Sequence, residues 1–261
     1  MGRGGPGEAG PPVSPGRTQS DALRSEGQAL ESRGDAAGAA TKYQEAISAD
    51  PTNPWARLDF ARFLARQGNA AQGFQIVDPA ASGGTRDSFH AAAMFYSEQN
   101  RSTEALALLD QIPASQRARN IVETRERIFL TGEIARAKQL AKTGGRAAAR
   151  NMLVSLYQHP PQTAEKTRLI ADALADIGDF NEALALARPS PAALRSDIHA
   201  GLSYAGLLVR AGRDAEAATY IAQAEGGPVS VDARRDLERL KGEIAAKRAD
   251  RLRERGDLAG A

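Results

Sequence analysis

The sequence predicts an all-α solenoid of short antiparallel helix pairs, and three observations carry that prediction. Glycine recurs at a fixed interval: Gly34 to Gly68, Gly144 to Gly178 and Gly178 to Gly212 are each 34 residues apart. Each of these glycines separates two segments whose apolar residues recur every three or four positions, the spacing of one helix face. Composition agrees. Alanine, the best helix former and small enough for close helix approach, is abundant, while aromatics are 5% of the chain. A large sheet core would draw on more Val, Ile and aromatic side chains.

A period of 34 built from paired helices marks tetratricopeptide-type repeats, which wind into a right-handed superhelix. Each repeat is stabilised by its neighbours, so 261 residues need no single central core. Such arrays present an extended surface rather than an enclosed reaction centre.

Residues 1–18, rich in Gly and Pro, bury too little to offset the entropy of ordering and are expected to be a disordered leader. Residues 19–114 hold repeats 1–3. In the first, Leu23, Gly27 and Leu30 share a face, Gly34-Asp35 turns the chain, and Ala39, Tyr43 and Ala46 form the return face. Asp50-Pro51 ends that helix, and Asn53-Pro54 opens the next as cap and first-turn proline. The second has Leu58, Ala61 and Leu64, a turn at Gly68-Asn69, then Gly73, Phe74, Val77 and Ala80; Gly73 should weaken its helix by roughly 1 kcal/mol. In the third, Ala92, Ala93 and Tyr96 precede a turn at Asn100, and Ala105 and Leu109 follow.

Residues 115–228 begin with an interruption. Asn100 to Gly144 is 44 residues, ten more than a period, and residues 116–143 contain no proline. One long helix, or two joined at Gly132, is expected. Repeats 4–6 turn at Gly144-Gly145, Gly178-Asp179 and Gly212, with Ala149, Leu153, Leu156, Ile170, Ala171, Leu174, Ala183, Leu186, Ala205, Leu208, Ala217, Ile221 and Ala224 on inner faces. Ser196-Asp197 reads as the cap of the sixth repeat. Residues 229–261 supply a second long helix and the truncated start of a further repeat. Gly34 to Gly144 is 110 residues and Gly144 to Gly256 is 112, and Gly132-Glu133-Ile134-Ala135 recurs as Gly242-Glu243-Ile244-Ala245. The long helices are therefore expected as parts of a super-repeat. The ending DLAGA falls where a return helix should begin, so continuation of the natural chain is expected.

The 34 basic and 32 acidic residues nearly cancel. A nucleic-acid binder usually carries a basic excess or stripe, so no nucleic acid is expected as partner. There is no cysteine, which removes disulfide scaffolds, thiol nucleophiles and cysteine metal sites. No run of 18 apolar residues is present to span a bilayer as a helix. The N-terminus lacks the apolar core of a secretory signal, which fits either a cytosolic protein or a piece excised from a longer one.

No catalytic, cofactor or metal role is predicted. His90, His159 and His199 stand in different repeats, without the close spacing of metal ligands. Ser196, Asp197 and His199 are adjacent in sequence, but a triad needs spatial orientation. The glycine pairs lack the preceding strand of a phosphate loop. What remains is a contact surface. The second, fifth, ninth and twelfth positions of each opening helix line the concave side in this architecture. That places Trp55, Leu58 and Arg62 there, then Asp87, His90 and Met94, and further along Arg168 and Asp172. For Trp55, packing against Tyr43 or Ile47 of the preceding repeat competes with a role as a stacking platform.

The run Asp50 to Trp55, Asp-Pro-Thr-Asn-Pro-Trp, followed by Arg57-Leu58, Ala61-Arg62, Leu64 and Gly68, resembles the repeat of the periplasmic scaffold component of bacterial cellulose synthase; Arg239 to Gly256 also looks like it. The likeness extends over residues 20–261. It implies a non-enzymatic exopolysaccharide-export scaffold, anchored in the outer membrane by a C-terminal β-barrel and joining that pore to the inner-membrane synthase. Implied partners are other cellulose synthase subunits, and peptidoglycan or the glucan chain. A generic adaptor, cytosolic or periplasmic, that binds a peptide in its groove is the alternative.

Overall fold

A computed structural model describes residues 15–256. Residues 1–14 of the expected leader, and the DLAGA ending, lie outside the described residues. Fourteen α-helices and one 3-10 turn follow in order: α1 (Pro15–Ser32), α2 (Ala36–Ala49), α3 (Pro54–Arg66), α4 (Ala70–Ala81), α5 (Arg86–Glu98), α6 (Ser102–Asp110), the turn Ala114–Gln116, α7 (Arg119–Lys142), α8 (Arg146–Gln158), α9 (Ala164–Asp176), α10 (Phe180–Ala187), α11 (Pro191–Ser196), α12 (Ile198–Arg210), α13 (Asp214–Glu225) and α14 (Val231–Glu254). No strand occurs among the described residues. The chain divides into two compact units, 1–132 and 133–261, with the division inside α7.

Gly34, Gly68, Gly144, Gly178 and Gly212 sit between helices, where the prediction needs them. Gly34, Gly68, Gly144, Gly178, Gly212 and Gly256 all have φ between 77° and 93°, and Asn100 takes the same left-handed role at φ 62°. A residue with a β-carbon is strained there, and asparagine tolerates it best after glycine. The hydrogen bonds explain the recurrence. The amide after each turn residue reaches back to a carbonyl five residues earlier: Asp35 to Leu30 (3.0 Å), Asn69 to Leu64 (2.8 Å), Arg101 to Tyr96 (2.9 Å), Gly145 to Leu140 (2.9 Å), Asp179 to Leu174 (2.8 Å) and Arg213 to Leu208 (2.8 Å). This is the Schellman closure, and it satisfies carbonyls that the helix end would otherwise leave open.

In the first unit α1 pairs with α2, α3 with α4 and α5 with α6, while α1, α3 and α5 stack on one another. Ala39, Tyr43 and Ala46 are fully buried, as are Ala61 and Val77. Gly27 faces the Tyr43 ring, where a β-carbon would lie 2.8 Å away. Tyr43, Phe60 and Phe63 form one aromatic group, with ring centroids 5.5–6.3 Å apart. Phe74 meets Phe95 and Tyr96 edge-on at 4.9 and 5.0 Å. Ile121 and Ile128 bring the first half of α7 into the cluster built around Leu58, Phe95 and Leu109. In the second unit α9 pairs with α10 and α12 with α13, and α14 packs on α12. Leu153, Ile170, Leu174, Leu208 and Leu240 are its largest fully buried side chains.

Three expectations change, and one open choice is decided. The helix begins at Pro15 rather than residue 19, because the end of α2 receives it: Arg17 Nε donates to Asp50 Oδ2 at 2.8 Å, and Gly16 lies against the Ala49 carbonyl. Of the two options for residues 116–143, α7 is one 24-residue helix. Gly132 lies inside it, against Ser102, where a β-carbon would come within 2.8 Å. In the fifth repeat α10 has only eight residues, and a further short helix, α11, is started by Ser190 and Pro191. Ser196 therefore belongs to α11, its hydroxyl donating to Ala192 O at 3.0 Å; Asp197 alone caps α12, accepting from His199 N at 2.9 Å.

Candidate functional site

The first helices of successive pairs carry charged side chains on a shared face, and in the first unit these bond from helix to helix. Arg24 of α1 donates to Asp59 of α3 (2.7 Å), a carboxylate that also accepts from Gln28 (3.2 Å). Glu31 of α1 takes two bonds from Arg66 of α3, at 2.7 and 2.8 Å, and one from the Tyr43 hydroxyl at 2.9 Å. The Arg66 bonds, reinforced by Tyr43 and opposed by partial burial, hold the Glu31 carboxyl below the usual carboxylate range. Arg62 of α3 grips both oxygens of Glu98 on α5.

The second unit repeats the device. Arg210 of α12 donates to Asp176 of α9 at 2.6 Å, and Lys138 reaches the same carboxylate at 2.6 Å. Burial alone would push the Asp176 carboxyl up; Lys138 and Arg210 outweigh it and hold it down. A groove of about 330 Å³ runs between α9, α12 and α14. Arg168 and Asp172, 3.5 Å apart, form one wall, and Arg239 and Glu243, 2.9 Å apart, form the other. Ser203 and Gly206 lie between them.

Against this geometry the sequence-derived contact residues separate. Arg168 and Asp172 come together at the groove, and Arg62 is half-buried and engaged by Glu98. Asp87 pairs with its neighbour Arg86 at 3.2 Å. Leu58 is a correction: 2% exposed, it is a core residue, because its position on α3 faces α5 rather than solvent. Met94 is partly buried against the same cluster. His90 is 7% exposed and meets Trp55 edge-on at 5.5 Å. The aromatic partner of Trp55 thus lies in the following repeat, not the preceding one. Sequence reasoning missed Glu31, Asp59, Glu98, Asp176 and Arg210. A signal was present: the bonded partners are 34 to 36 residues apart, close to one period. Opposite charges one repeat apart on stacked helices are the array's counterpart of the i,i+4 pair.

Among the described residues no group of three or more His, Asp or Glu side chains is placed to hold a metal ion. No described helix is long and apolar enough to cross a membrane. Residues 30–88 match the tetratricopeptide repeat family. The fold of the described residues is a tetratricopeptide-like solenoid of helix pairs. It is 29% identical over 233 residues to the cellulose synthase operon protein C of Xanthomonas axonopodis pv. citri (strain 306), and 27% identical over 243 residues to that of Pseudomonas fluorescens (strain SBW25). These alignments take in 87% and 90% of this chain but 16% and 19% of the relatives, so the chain spans less than a fifth of their length. Among solved structures, PilW, a type IV pilus biogenesis factor, aligns with a TM-score of 0.48 at 18% identity, over 84% of this chain and 98% of its own. A tetratricopeptide repeat protein from Parabacteroides merdae ATCC 43184 aligns with a TM-score of 0.48 at 15% identity, over 92% and 91%.

Proposed function

We propose that this chain is a segment of a periplasmic scaffold for bacterial cellulose biosynthesis and export, holding synthase subunits in line with an outer-membrane pore. The observation that carries this reading is the breadth of the likeness. Cellulose synthase operon protein C relatives align over 87–90% of the chain, far more than a single shared repeat would give. The face of paired arginines and carboxylates then serves protein contact. Surface ion pairs contribute little to stability, ~0–1 kcal/mol each, but they fix register and exclude partners of the wrong charge pattern. Sugar rings are recognised by stacking on exposed aromatics, and among the described Phe, Trp and Tyr side chains only Phe129 is exposed. Arg62, Asp87, Arg168 and Asp172 are the contact residues under this reading.

The test is co-precipitation of the chain with purified cellulose synthase subunits, run beside binding to soluble glucan oligomers. Capture of a synthase subunit, weakened at least tenfold by Arg168→Ala together with Asp172→Ala, is expected. Glucan binding without subunit capture would make the face a polymer track. Failure of both, with tight binding of an unrelated peptide, would leave a general adaptor.

A further inference from the structure

His90 occupies a place that the binding face does not use. It lies on α5 with 7% of its surface exposed, at the meeting of α3, α5 and the first half of α7. Its ring stands at 82° to Trp55 of α3, with centroids 5.5 Å apart. Its Nε2 is 3.4 Å from Thr124 Oγ1 of α7. The Thr124 hydroxyl hydrogen is directed to the Asn120 carbonyl at 2.8 Å. Toward His90 that oxygen can therefore only accept, which assigns the proton of the neutral ring to Nε2.

The charges around the ring do not prepare it for a second proton. On its own helix, Asp87 lies one turn away and is paired with Arg86 at 3.2 Å. From α3 the facing group is the uncharged indole of Trp55. From α7 it is Thr124, while Glu123 is bonded to Arg119 (2.7 Å), Arg125 to Asp110 (2.9 Å), and Arg127 is exposed. We propose that His90 is an acid-sensitive pin: neutral, it holds α3 and α5 against the first three turns of α7, and on taking a proton it loosens that joint.

The physical reason is desolvation. A charge in a largely buried ring is unfavourable unless it is paired, and opening the joint returns the ring to water. Burial pushes the His90 imidazole below its ordinary value, with Asp87 opposing and Arg86 adding to the effect. The closed joint thus binds fewer protons than the open one. Its stability is complete above the ordinary histidine range, near pH 6.5, and falls as pH drops below that.

The chain supplies its own reporter, since Trp55 is the only tryptophan. A protonated imidazole in van der Waals range quenches indole emission more than a neutral one. The experiment titrates Trp55 fluorescence from pH 8 to 4.5, and measures amide exchange over 119–128, corrected for intrinsic rates, at pH 7.5 and 5.0. The wild-type chain should show a one-proton fall in emission with a midpoint below 6.5, and a severalfold rise in exchange at pH 5.0. His90→Gln should abolish both, while a chain lacking His159 and His199 should keep both. Should His90→Gln fold poorly, Thr124→Val provides the second arm: exchange over 119–128 is raised already at pH 7.5, and acid adds little. Persistence of the transition in His90→Gln, or an emission change without any change in α7 exchange in the wild type, would overturn the proposal.

Discussion

Gly73 and Gly242 both lie inside a helix, yet they answer to different forces. At Gly73 a β-carbon would lie 2.7 Å from the Phe95 ring and 2.9 Å from the Ala61 carbonyl; at Gly242 nothing lies within 4 Å. Phe95 cannot swing aside, since it is fully buried and held edge-on by Phe74. Alanine in an exposed helix interior is favoured over glycine by about 0.5–1 kcal/mol, so Gly242→Ala should stabilise the chain by about that much. Gly73→Ala gains the same propensity but meets an overpacking cost of ~1–3 kcal/mol, and a net loss of ~1–2 kcal/mol is expected. Urea unfolding midpoints of the two variants check the opposite signs. The sequence alone reads Gly73 as a weak point, because the ring that fills the space there arrives from the next repeat.

At the scale of the element, starts and stops were the most legible features, since caps and turns act within a few residues. Asn53 and Pro54 open α3, and Asn100 takes the left-handed turn, as their chemistry requires. What escaped was tertiary or easily overlooked: whether α7 breaks at Gly132, and the short α11 that Ser190-Pro191 announces. Asn53 also shows a cap acting beyond its helix. Fully buried, it accepts from Trp55 N at 3.1 Å, and its amide donates to Ser20 Oγ (2.9 Å) and Asp21 Oδ1 (3.0 Å) on α1. Ser20 in turn donates to the Ala46 carbonyl at 2.7 Å. Loss of the cap costs ~1 kcal/mol and an unsatisfied buried partner ~1–3 kcal/mol. Asn53→Ala should therefore destabilise by ~2–3 kcal/mol. Asn53→Asp keeps the capping oxygen but loses the donor and faces Asp21, so it should not restore stability. Equilibrium unfolding of both variants separates the cap from the bridge.

For the whole molecule, the spacing of 34 and then 44 residues was readable as a super-repeat. Its counterparts are present: α7 and α14 are each 24 residues long, beginning at Arg119 and Val231. Of the proposed binding face, only Arg62, Asp87, Arg168 and Asp172 were named from the pattern. The core assignment of Leu58 depended on how α3 and α5 stack. A consequence for energetics follows from the architecture. In a repeat array each element is stabilised by its neighbours, so a defect is felt locally and fades along the chain. Leu109 of α6 and Leu208 of α12 are both fully buried, one in each compact unit. Truncation of a buried leucine to alanine costs ~2–5 kcal/mol. Leu208→Ala should raise amide exchange in α12 and its packing partners α9, α13 and α14, while α3, α4 and α5 keep their protection. Leu109→Ala should do the reverse, loosening α5 and α6 and sparing α12 and α13. Hydrogen exchange followed by mass spectrometry resolves these segments. A uniform loss of protection over residues 15–256 from either variant would mean that the chain unfolds as one cooperative core, and the description by neighbouring repeats would then fail.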